Sequence, residues 1–267
     1  IAYAYYSSIL AGVSWDEIFV LNRGEERLKY LYSLGNSKVT FEGNEFFPGI
    51  NDVLAVFFIQ LFPKNFKYEM LHIFNCTISI LTLFGTYQLF KILFNKKLSK
   101  IIFILLFLNP IFYSHMSINS KDTVITFSFV WLLLYFIKYM KNQLIIPKRR
   151  KIFSKLLIFT VIGLGTRIHF ISLLILFIPF FVNYVFMQKN DFSYKILLID
   201  ILKILPITYF ILIIFWPHTH SNIFLEPSRL FFESLNVRAG PPTIFLNNEV
   251  VDTLHVGSFF FFENLIF

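Results

Sequence analysis

Charged residues are scarce in this chain. Only 15% of its 267 residues are Asp, Glu, Lys or Arg, and 56% are hydrophobic. In soluble domains, about a quarter of the residues are usually charged. This balance excludes an ordinary soluble domain and indicates lipid as the main solvent of the folded chain. The composition therefore predicts a membrane protein.

Cysteine is nearly absent as well. Cys76 is the single cysteine, which excludes an internal disulfide or a cysteine metal cluster, and its apolar surroundings are typical of a small core residue. The sequence also lacks a Gly-rich phosphate loop, a Ser/His/Asp nucleophile arrangement and a His/Cys metal spacing. His218 and His220 could bind a metal, or could simply be loop residues at the end of a span.

Both ends of the chain lie in or beside apolar runs. Residues 1–13 form such a run without an initial Met, and the chain stops shortly after another run, residues 259–262. We therefore expect a fragment that lacks both native termini. The missing parts would be the start of the first membrane span and everything after a second extracytoplasmic segment.

Long apolar stretches recur along the chain. A helix needs about 20 apolar residues to cross the ~30 Å hydrocarbon layer. The run 152–187 is too long for one crossing, and GLGTR at 163–167 interrupts it, so we interpret it as a hairpin with Arg167 at its turn. With a remnant of a span at 1–13, the sequence predicts an all-α, polytopic helical bundle of about seven passes. The stretches that fit single crossings are 70–94, 101–117, 123–140 and 196–216.

Lys and Arg are unevenly distributed between alternate loops. One set of loops and adjoining helix ends holds fourteen cations and two anions, and the other holds ten cations and fourteen anions. Because cytoplasmic loops carry an excess of Lys and Arg, the first set is predicted to be cytoplasmic. A nucleic-acid binder would gather its cations on one folded face, so the net charge of +8 does not indicate nucleic acid. We predict a multi-pass protein of the bacterial inner (plasma) membrane.

Two acids stand where the first span leaves the membrane. Asp16 and Glu17 begin a predicted helix, and the helix macrodipole favours anions at that position. A solvated acidic pair would explain both residues. They could instead supply a general base or a ligand for a divalent metal.

A second polar group occupies the tight outward turn between two predicted spans. Asn119 or Ser120 could cap the following helix, with Asp122 in its first turn, and this accounts for the residue types. Lys121 and Asp122 also place a cation and an anion at the lipid headgroup level. Such a pair would suit a site that holds a phosphate while it positions a second acid.

Arg167 lies at the tip of the predicted hairpin, after two glycines that would let backbones approach closely. Ionisable residues at such depth are costly and usually face an interior cavity with a partner. A guanidinium can bind phosphate oxygens through two parallel hydrogen bonds. Arg167 is therefore a candidate phosphate ligand. His169 could contribute, although a lone His in a helix is more often a packing residue.

The predicted outer loops contain short helices. The first outer loop covers about 14–69 and begins with an amphipathic segment, 17–34, typical of a helix in the interface plane. The apolar run 53–62 is too short to span and indicates a re-entrant or interfacial helix. We predict two domains, a transmembrane catalytic core at 1–216 and a truncated extracytoplasmic segment at 217–267.

In their order along the chain, these motifs resemble the GT-C superfamily of polyprenyl-phosphate-sugar glycosyltransferases, specifically the bacterial branch around protein O-mannosyltransferases (glycosyltransferase family 39). The resemblance extends over essentially the whole chain, with Ser120 where Pro is usual and Asn247-Asn248 in place of an Asn-Gly or Gly-Glu step. The stretches that carry it are SWDE at 14–17, FPG at 47–49, NPIF at 109–112, NSKD at 119–122, GLGTR at 163–167, WP at 216–217, FESL at 232–235 and residues 240–248.

The resemblance implies a GT-C core whose extracytoplasmic loops form the active site. The implied partners are a polyprenyl-phosphate-linked sugar donor, membrane lipids, and an acceptor that is a protein, a lipid or a glycan. A first-loop acid would deprotonate the acceptor, and a divalent metal could bind Asp16 or Asp122. The site residues it implies are Asp16, Glu17 and Asp122 as acids, and Lys121, Arg167 and His169 at the donor phosphate.

A non-enzymatic flippase or transporter of lipid-linked sugars is the main alternative. Transporters place ionisable groups near the bilayer midplane and show internal repeats with broken helices. No repeat is visible here, and the polar groups gather on one face, which favours transfer chemistry. A passive structural subunit would leave Arg167 unexplained. Convergence of Asp16, Asp122 and Arg167 in an outer cavity would favour transfer, and a midplane pathway would favour transport.

Overall fold

In a computed structural model, the regular secondary structure of the described residues is helical, apart from one two-stranded antiparallel ladder. The described residues are 1–37, 45–187, 192–235, 243–246 and 249–252. Most of the predicted segment 240–248 therefore lies outside the described part. The chain divides into two compact units, Ile1–Leu230 and Phe231–Phe267. Residues 217–230, predicted as part of the outer segment, belong to the first unit.

Twelve helices and two strands make up the described secondary structure. Short 3₁₀ turns precede α4, separate α9 from α10 and follow α11. In the ladder, Thr243 lies opposite Asp252 and Leu246 opposite Glu249. The elements are α1 (Ala2–Ile9), α2 (Trp15–Tyr32), α3 (Ile50–Ile59), α4 (Lys67–Leu93), α5 (Lys96–Leu108), α6 (Pro110–Ile118), α7 (Ser120–Asn142), α8 (Ile146–Thr166), α9 (Phe170–Leu173), α10 (Ile178–Met187), α11 (Tyr194–Phe215), α12 (Glu226–Ser234), β1 (Thr243–Leu246) and β2 (Glu249–Asp252).

Three helices of the described chain are long and apolar enough to cross a membrane: α4, α7 and α11. They confirm apolar helices at three of the predicted single crossings. The pair α5 and α6 meets the same criteria only if its two bent helices count as one span. The described helices therefore support three or four crossings, fewer than the predicted seven. The helix α8 does not qualify because five cations stand in its first half.

The predicted crossing 101–117 is not one straight helix. It breaks at Asn109, and α5 and α6 are bent by 67° at that point. The cause is Pro110, which lacks an N–H and whose ring clashes with the carbonyl one turn back. Pro is tolerated at the first position of a new helix, and the Asn109 side chain caps α6 by accepting from the Phe112 N–H at 2.9 Å.

The predicted interruption of the apolar run at Arg167 is confirmed, because α8 ends at Thr166, whereas the hairpin itself stays a prediction. Arg167 has extended backbone dihedrals, and the chain then continues as α9, a 3₁₀ turn and α10 rather than one second leg. Side chains, not backbones, pack against the two glycines. A Cβ on Gly163 would come within 2.5 Å of the Phe170 ring, and a Cβ on Gly165 would clash with Ile50.

The amphipathic segment predicted at 17–34 forms α2, and its apolar face is buried on α3. Val20 and Leu21 are nearly fully buried in one cluster with Val53 and Val56. The contact is close because Gly24 has no side chain: a Cβ there would overlap the backbone oxygen of Asp52. The packing of α2 on α3 fixes the register between the polar residues of these two helices.

Candidate functional site

Four of the predicted site residues meet at one end of the helical bundle. Asp16 lies in the first turn of α2, Lys121 and Asp122 lie in the first turn of α7, and Arg167 follows the last residue of α8. Lys121 Nζ lies 3.9 Å from Asp16 Oδ2, and Arg167 Nη1 lies 3.6 Å from Asp122 Oδ1. The Asp16 and Asp122 side chains are 64% and 61% exposed, so both carboxylates are accessible at the surface of this end.

Asn119 orients Asp122. The Asn119 side-chain oxygen accepts from the Asp122 N–H at 3.0 Å, and its Nδ2 donates to Asp122 Oδ2 at 3.1 Å. Asn119 is thus the cap of α7, which confirms one of the two predicted caps. With Oδ2 held by Asn119, the other carboxylate oxygen of Asp122 faces the guanidinium of Arg167.

The turn between α6 and α7 is held by amide side chains of two other helices. Asn51 of α3 donates to the Ser120 carbonyl at 3.1 Å, and Asn75 of α4 donates to the Ser117 carbonyl at 2.8 Å. The Ser117 carbonyl lies in the last turn of α6, where carbonyls lack intrahelical partners and need others when buried. Sequence reasoning missed both asparagines, because each donates to a segment distant from it in the sequence.

A buried ion-pair group that the sequence analysis missed lies where α2 packs on α3. Arg23 Nε and Arg27 Nη1 donate to Asp52 Oδ2 at 3.0 Å and 2.8 Å, and Arg27 also donates to the Phe47 carbonyl at 2.8 Å. The pKa of the Arg27 guanidinium is lowered, because the effect of burial is larger than the opposing effect of the Asp52 carboxylate. The sequence signal was the spacing of Arg23 and Arg27, which puts them on one face of α2.

Lys121 connects the buried ion pairs with the exposed ones. Its charged neighbours are Asp16, Asp52, Arg23 and Arg167, and its Nζ lies 5.9 Å from the centre of the Phe47 ring. We call the whole set the outer charge cluster, after the side of the membrane that the sequence predicts for it. With four cations and three carboxylates, it has a net positive charge. Its members are Asp16, Arg23, Arg27, Asp52, Lys121, Asp122 and Arg167.

Glu17 is separated from Asp16 by burial. Its side chain has no exposed surface, it accepts from the Ser14 N–H at 2.7 Å, and its Oε1 lies 2.8 Å from His72 Nε2. This last contact does not have hydrogen-bond geometry. The acidic pair of the sequence is therefore divided, with Asp16 accessible and Glu17 enclosed between α2 and α4.

The histidines occupy different surroundings. His169 is half-buried at the start of α9, where its carbonyl accepts from the Ser172 hydroxyl at 2.8 Å. Both nitrogens of His220 are engaged: Nδ1 accepts from Tyr30 at 2.7 Å, and Nε2 donates to the Ile213 carbonyl at 2.7 Å. With both ring nitrogens engaged by protein groups, His220 does not offer a nitrogen to a metal in this arrangement. Burial and the nearby charge of Arg27 lower the pKa of His218.

The described residues offer few ligands for a divalent metal. Within the described ranges, no three His, Cys, Asp or Glu side chains come together. Asp16 and Asp122, the predicted metal ligands, each face a cation of the protein instead. A metal would have to displace Lys121 or Arg167, so we derive no chemical step that uses one.

A cavity of about 440 Å³ extends from Asp122 between α4, α5, α6 and α7. Its polar lining comes from α4, from Asn109, from α6 and from the start of α7, and apolar side chains of α5 and α6 complete it. Leu108 and Ile111, at the bend between these helices, are 68% and 70% exposed. The cavity residues are Ser79, Thr82, Leu106, Asn109, Ile111, Phe112, His115, Met116, Asn119, Asp122, Thr123 and Thr126.

The fold and the site define a helical protein with apolar helices that could span a membrane and a charge cluster at one end of its bundle. No protein-family model, no curated protein and no solved structure matches the chain. The resemblance to GT-C glycosyltransferases therefore rests on the motifs of the sequence.

Proposed function

We propose that this chain is part of a membrane glycosyltransferase of the bacterial inner membrane. It would transfer a sugar from a polyprenyl-phosphate donor to an acceptor at the extracytoplasmic face. The observation that carries the proposal is the meeting of Asp16, Lys121, Asp122 and Arg167 from three separate helix ends. These residues supply the two functions that such a transfer needs, a base and a positive phosphate site.

The phosphate site would consist of Lys121 and Arg167. As the bond from the sugar C1 to the phosphate oxygen breaks, negative charge grows on the phosphate, and fixed cations stabilise it. The 3.6 Å contact of Arg167 with Asp122 is longer than a hydrogen bond. The guanidinium can therefore turn its N–H groups towards a phosphate while Asp122 continues to orient it.

Asp16 would be the general base. The acceptor hydroxyl gives its proton to the Asp16 carboxylate as its oxygen forms the new bond to C1, and the polyprenyl phosphate leaves with the electrons of the broken bond. Asp16 suits this role because it is exposed and lies beside Lys121. Acceptor and donor would therefore meet between Asp16 and the two cations.

A transporter of lipid-linked sugars is the second candidate, and a polar stripe on α4 favours it. The stripe is His72, Asn75, Ser79, Thr82 and Thr86, all buried. Most of these side chains, however, donate hydrogen bonds to backbone carbonyls of the protein. The two threonines donate to carbonyls of their own helix, and Asn75 and Ser79 donate to carbonyls at the end of α6. Such bonds are typical of helix packing in membranes.

The test uses the full-length protein in proteoliposomes that contain a polyprenyl-phosphate-linked sugar and a cell-envelope extract as acceptor source. Transfer predicts release of sugar-free polyprenyl phosphate and labelled acceptor, both lost in Asp16→Asn. Arg229→Ala serves as a control, because Arg229 is an exposed cation paired with Glu226 and outside the outer charge cluster. Movement of intact donor between leaflets without release of polyprenyl phosphate would overturn the proposal in favour of transport.

A further inference from the structure

A second polar site lies at the opposite end of α7 and α8 from the outer charge cluster. There, the first turns of α8 and the middle of α11 enclose a cavity of about 310 Å³. We call it the α8–α11 pocket. Its lining residues are Arg149, Arg150, Phe153, Ser154, Asp200 and Lys203.

The wall of this pocket is fixed by hydrogen bonds from the end of α7. Tyr139 donates to Asp200 Oδ2 at 2.7 Å, and Asp200 is 7% exposed. Gln143 donates to the Ser193 carbonyl at 3.0 Å and accepts from the Ser193 N–H at 2.8 Å. Because Ser193 caps α11, this pair of bonds joins the start of α11 to α7. The carboxylate of the pocket is therefore held in place.

The charges of the pocket are unbalanced. Three cations, Arg149, Arg150 and Lys203, stand against the single carboxylate of Asp200. Arg149 Nε lies 3.7 Å from Asp200 Oδ2, too far for a hydrogen bond, so this contact leaves the terminal N–H groups of Arg149 unused. A net positive pocket with guanidinium donors suits a phosphate group.

An apolar stripe of α11 lies next to the pocket. Ile207, Phe210 and Ile214 are between 40% and 56% exposed. They follow the pocket residue Lys203 at i+4, i+7 and i+11, which puts them on the same face of the helix as Lys203. The helix α11 is one of those apolar enough to cross a membrane, so this face would contact acyl chains. A phospholipid has a charged head group and apolar tails. The cationic pocket would match the head group, and the apolar stripe beside it would match the tails.

We propose that the α8–α11 pocket binds the phosphate head group of an anionic phospholipid, whose acyl chains lie along the stripe of α11. Basic pockets between membrane helices bind lipid head groups in this way. The proposal does not depend on the glycosyltransferase activity, because none of its residues belongs to the outer charge cluster. It predicts selectivity for anionic over zwitterionic lipids and a requirement for acyl chains.

Native mass spectrometry of the full-length protein in detergent tests the proposal. The probes are dioctanoyl phosphatidylglycerol, dioctanoyl phosphatidylcholine and inorganic phosphate. The double variant Arg150→Gln/Lys203→Gln removes two pocket cations but keeps the contact of Arg149 with Asp200. The matched control is Lys148→Gln/Lys151→Gln, which removes the same charge from α8 outside the pocket.

We expect the pocket variant to raise the apparent Kd for phosphatidylglycerol about 30-fold, the combined effect of two head-group cations. The control should change it about threefold or less, because its charges act through screening solvent. Equal losses in both variants, or equal binding of phosphatidylcholine, would overturn the pocket. If inorganic phosphate binds as tightly as phosphatidylglycerol and loses the same affinity in the pocket variant, the ligand is a free phosphate and the lipid proposal is wrong.

Discussion

The guanidinium of Arg167 lies 3.6 Å from the carboxylate of Asp122, although the two residues end and begin different helices. Asn119 holds the other oxygen of Asp122 through its amide. The guanidinium is therefore placed by a capped helix start rather than by a mobile loop. This arrangement connects the turn between α6 and α7 with the end of α8, and the proposed donor site depends on it.

Substitutions of Arg167 should separate its charge from its shape. Arg167→Ala should weaken binding of a polyprenyl-phosphate sugar by about 2–5 kcal/mol, because a charge contact with the phosphate is lost. Arg167→Lys should weaken it less, since it keeps the charge but not the two-pronged geometry. Binding to the purified full-length protein measures both. Unchanged affinity in folded Arg167→Ala, like that expected of Arg229→Ala, would give the arginine a structural role.

The two adjacent acids should respond differently to loss of charge. Asp16→Asn should lower the transfer rate by about 10² or more and leave folding intact, because the side chain is 64% exposed. Glu17→Gln should lower the unfolding temperature, because it replaces the buried carboxylate that faces His72. Transfer assays and thermal unfolding on the same samples make the comparison. If Glu17→Gln folds normally and is inactive while Asp16→Asn is active, the roles are reversed.

The close contact of α2 with α3 should not tolerate a methyl group. Gly24→Ala would put its Cβ against the Asp52 carbonyl and Val56, and overpacking of this kind costs about 1–3 kcal/mol. We expect a lower free energy of unfolding in detergent. Gly12→Ala is the control, since nothing lies within 4 Å of its Cβ. Equal stability of the two variants would show that α2 and α3 can separate without cost.

Acidification should destabilise the fold through His218. Burial, and then the charge of Arg27, lower its pKa below the ordinary value of 6.5. Between the lowered pKa and 6.5 the unfolded state binds more protons, so stability rises with pH in this window and falls on acidification. Unfolding temperatures at about pH 7.5 and about pH 5.5 should differ less in His218→Asn than in the wild type.

His115, an exposed histidine, provides the comparison for His218. The variant His115→Asn should keep the full pH dependence of the unfolding temperature. If His218→Asn also keeps it, the acid sensitivity arises elsewhere in the protein.

The membrane orientation can be tested with single cysteines. In a Cys76→Ala background, Asn36→Cys should react with a membrane-impermeant maleimide added to intact cells, and Leu144→Cys should not. Both positions are exposed in the fold, so reactivity reports the side of the membrane. Labelling of Leu144→Cys from outside would reverse the orientation and place the outer charge cluster in the cytoplasm.

Residue types and periodicity were sufficient to predict the long apolar helices α4, α7 and α11, the helix at 17–34 and the end of α8 at Arg167. These features are local, because helix length, apolar runs and glycine or capping residues act within a few residues. The break at Asn109 was visible in the sequence as Asn-Pro, and the predicted crossing failed there because apolarity was weighed above the steric effect of Pro110.

The sequence by itself determined the helical class and the candidate residues Asp16, Lys121, Asp122 and Arg167. Only the tertiary structure decided which of them meet. It also decided that Glu17 is buried against His72 while Asp16 is exposed, and that Asp52 accepts hydrogen bonds from two arginines. The reason is physical. Composition and spacing fix what each helix can bury, whereas pairing of charges depends on the register between helices, and that register is set by packing contacts such as Gly24 on Asp52.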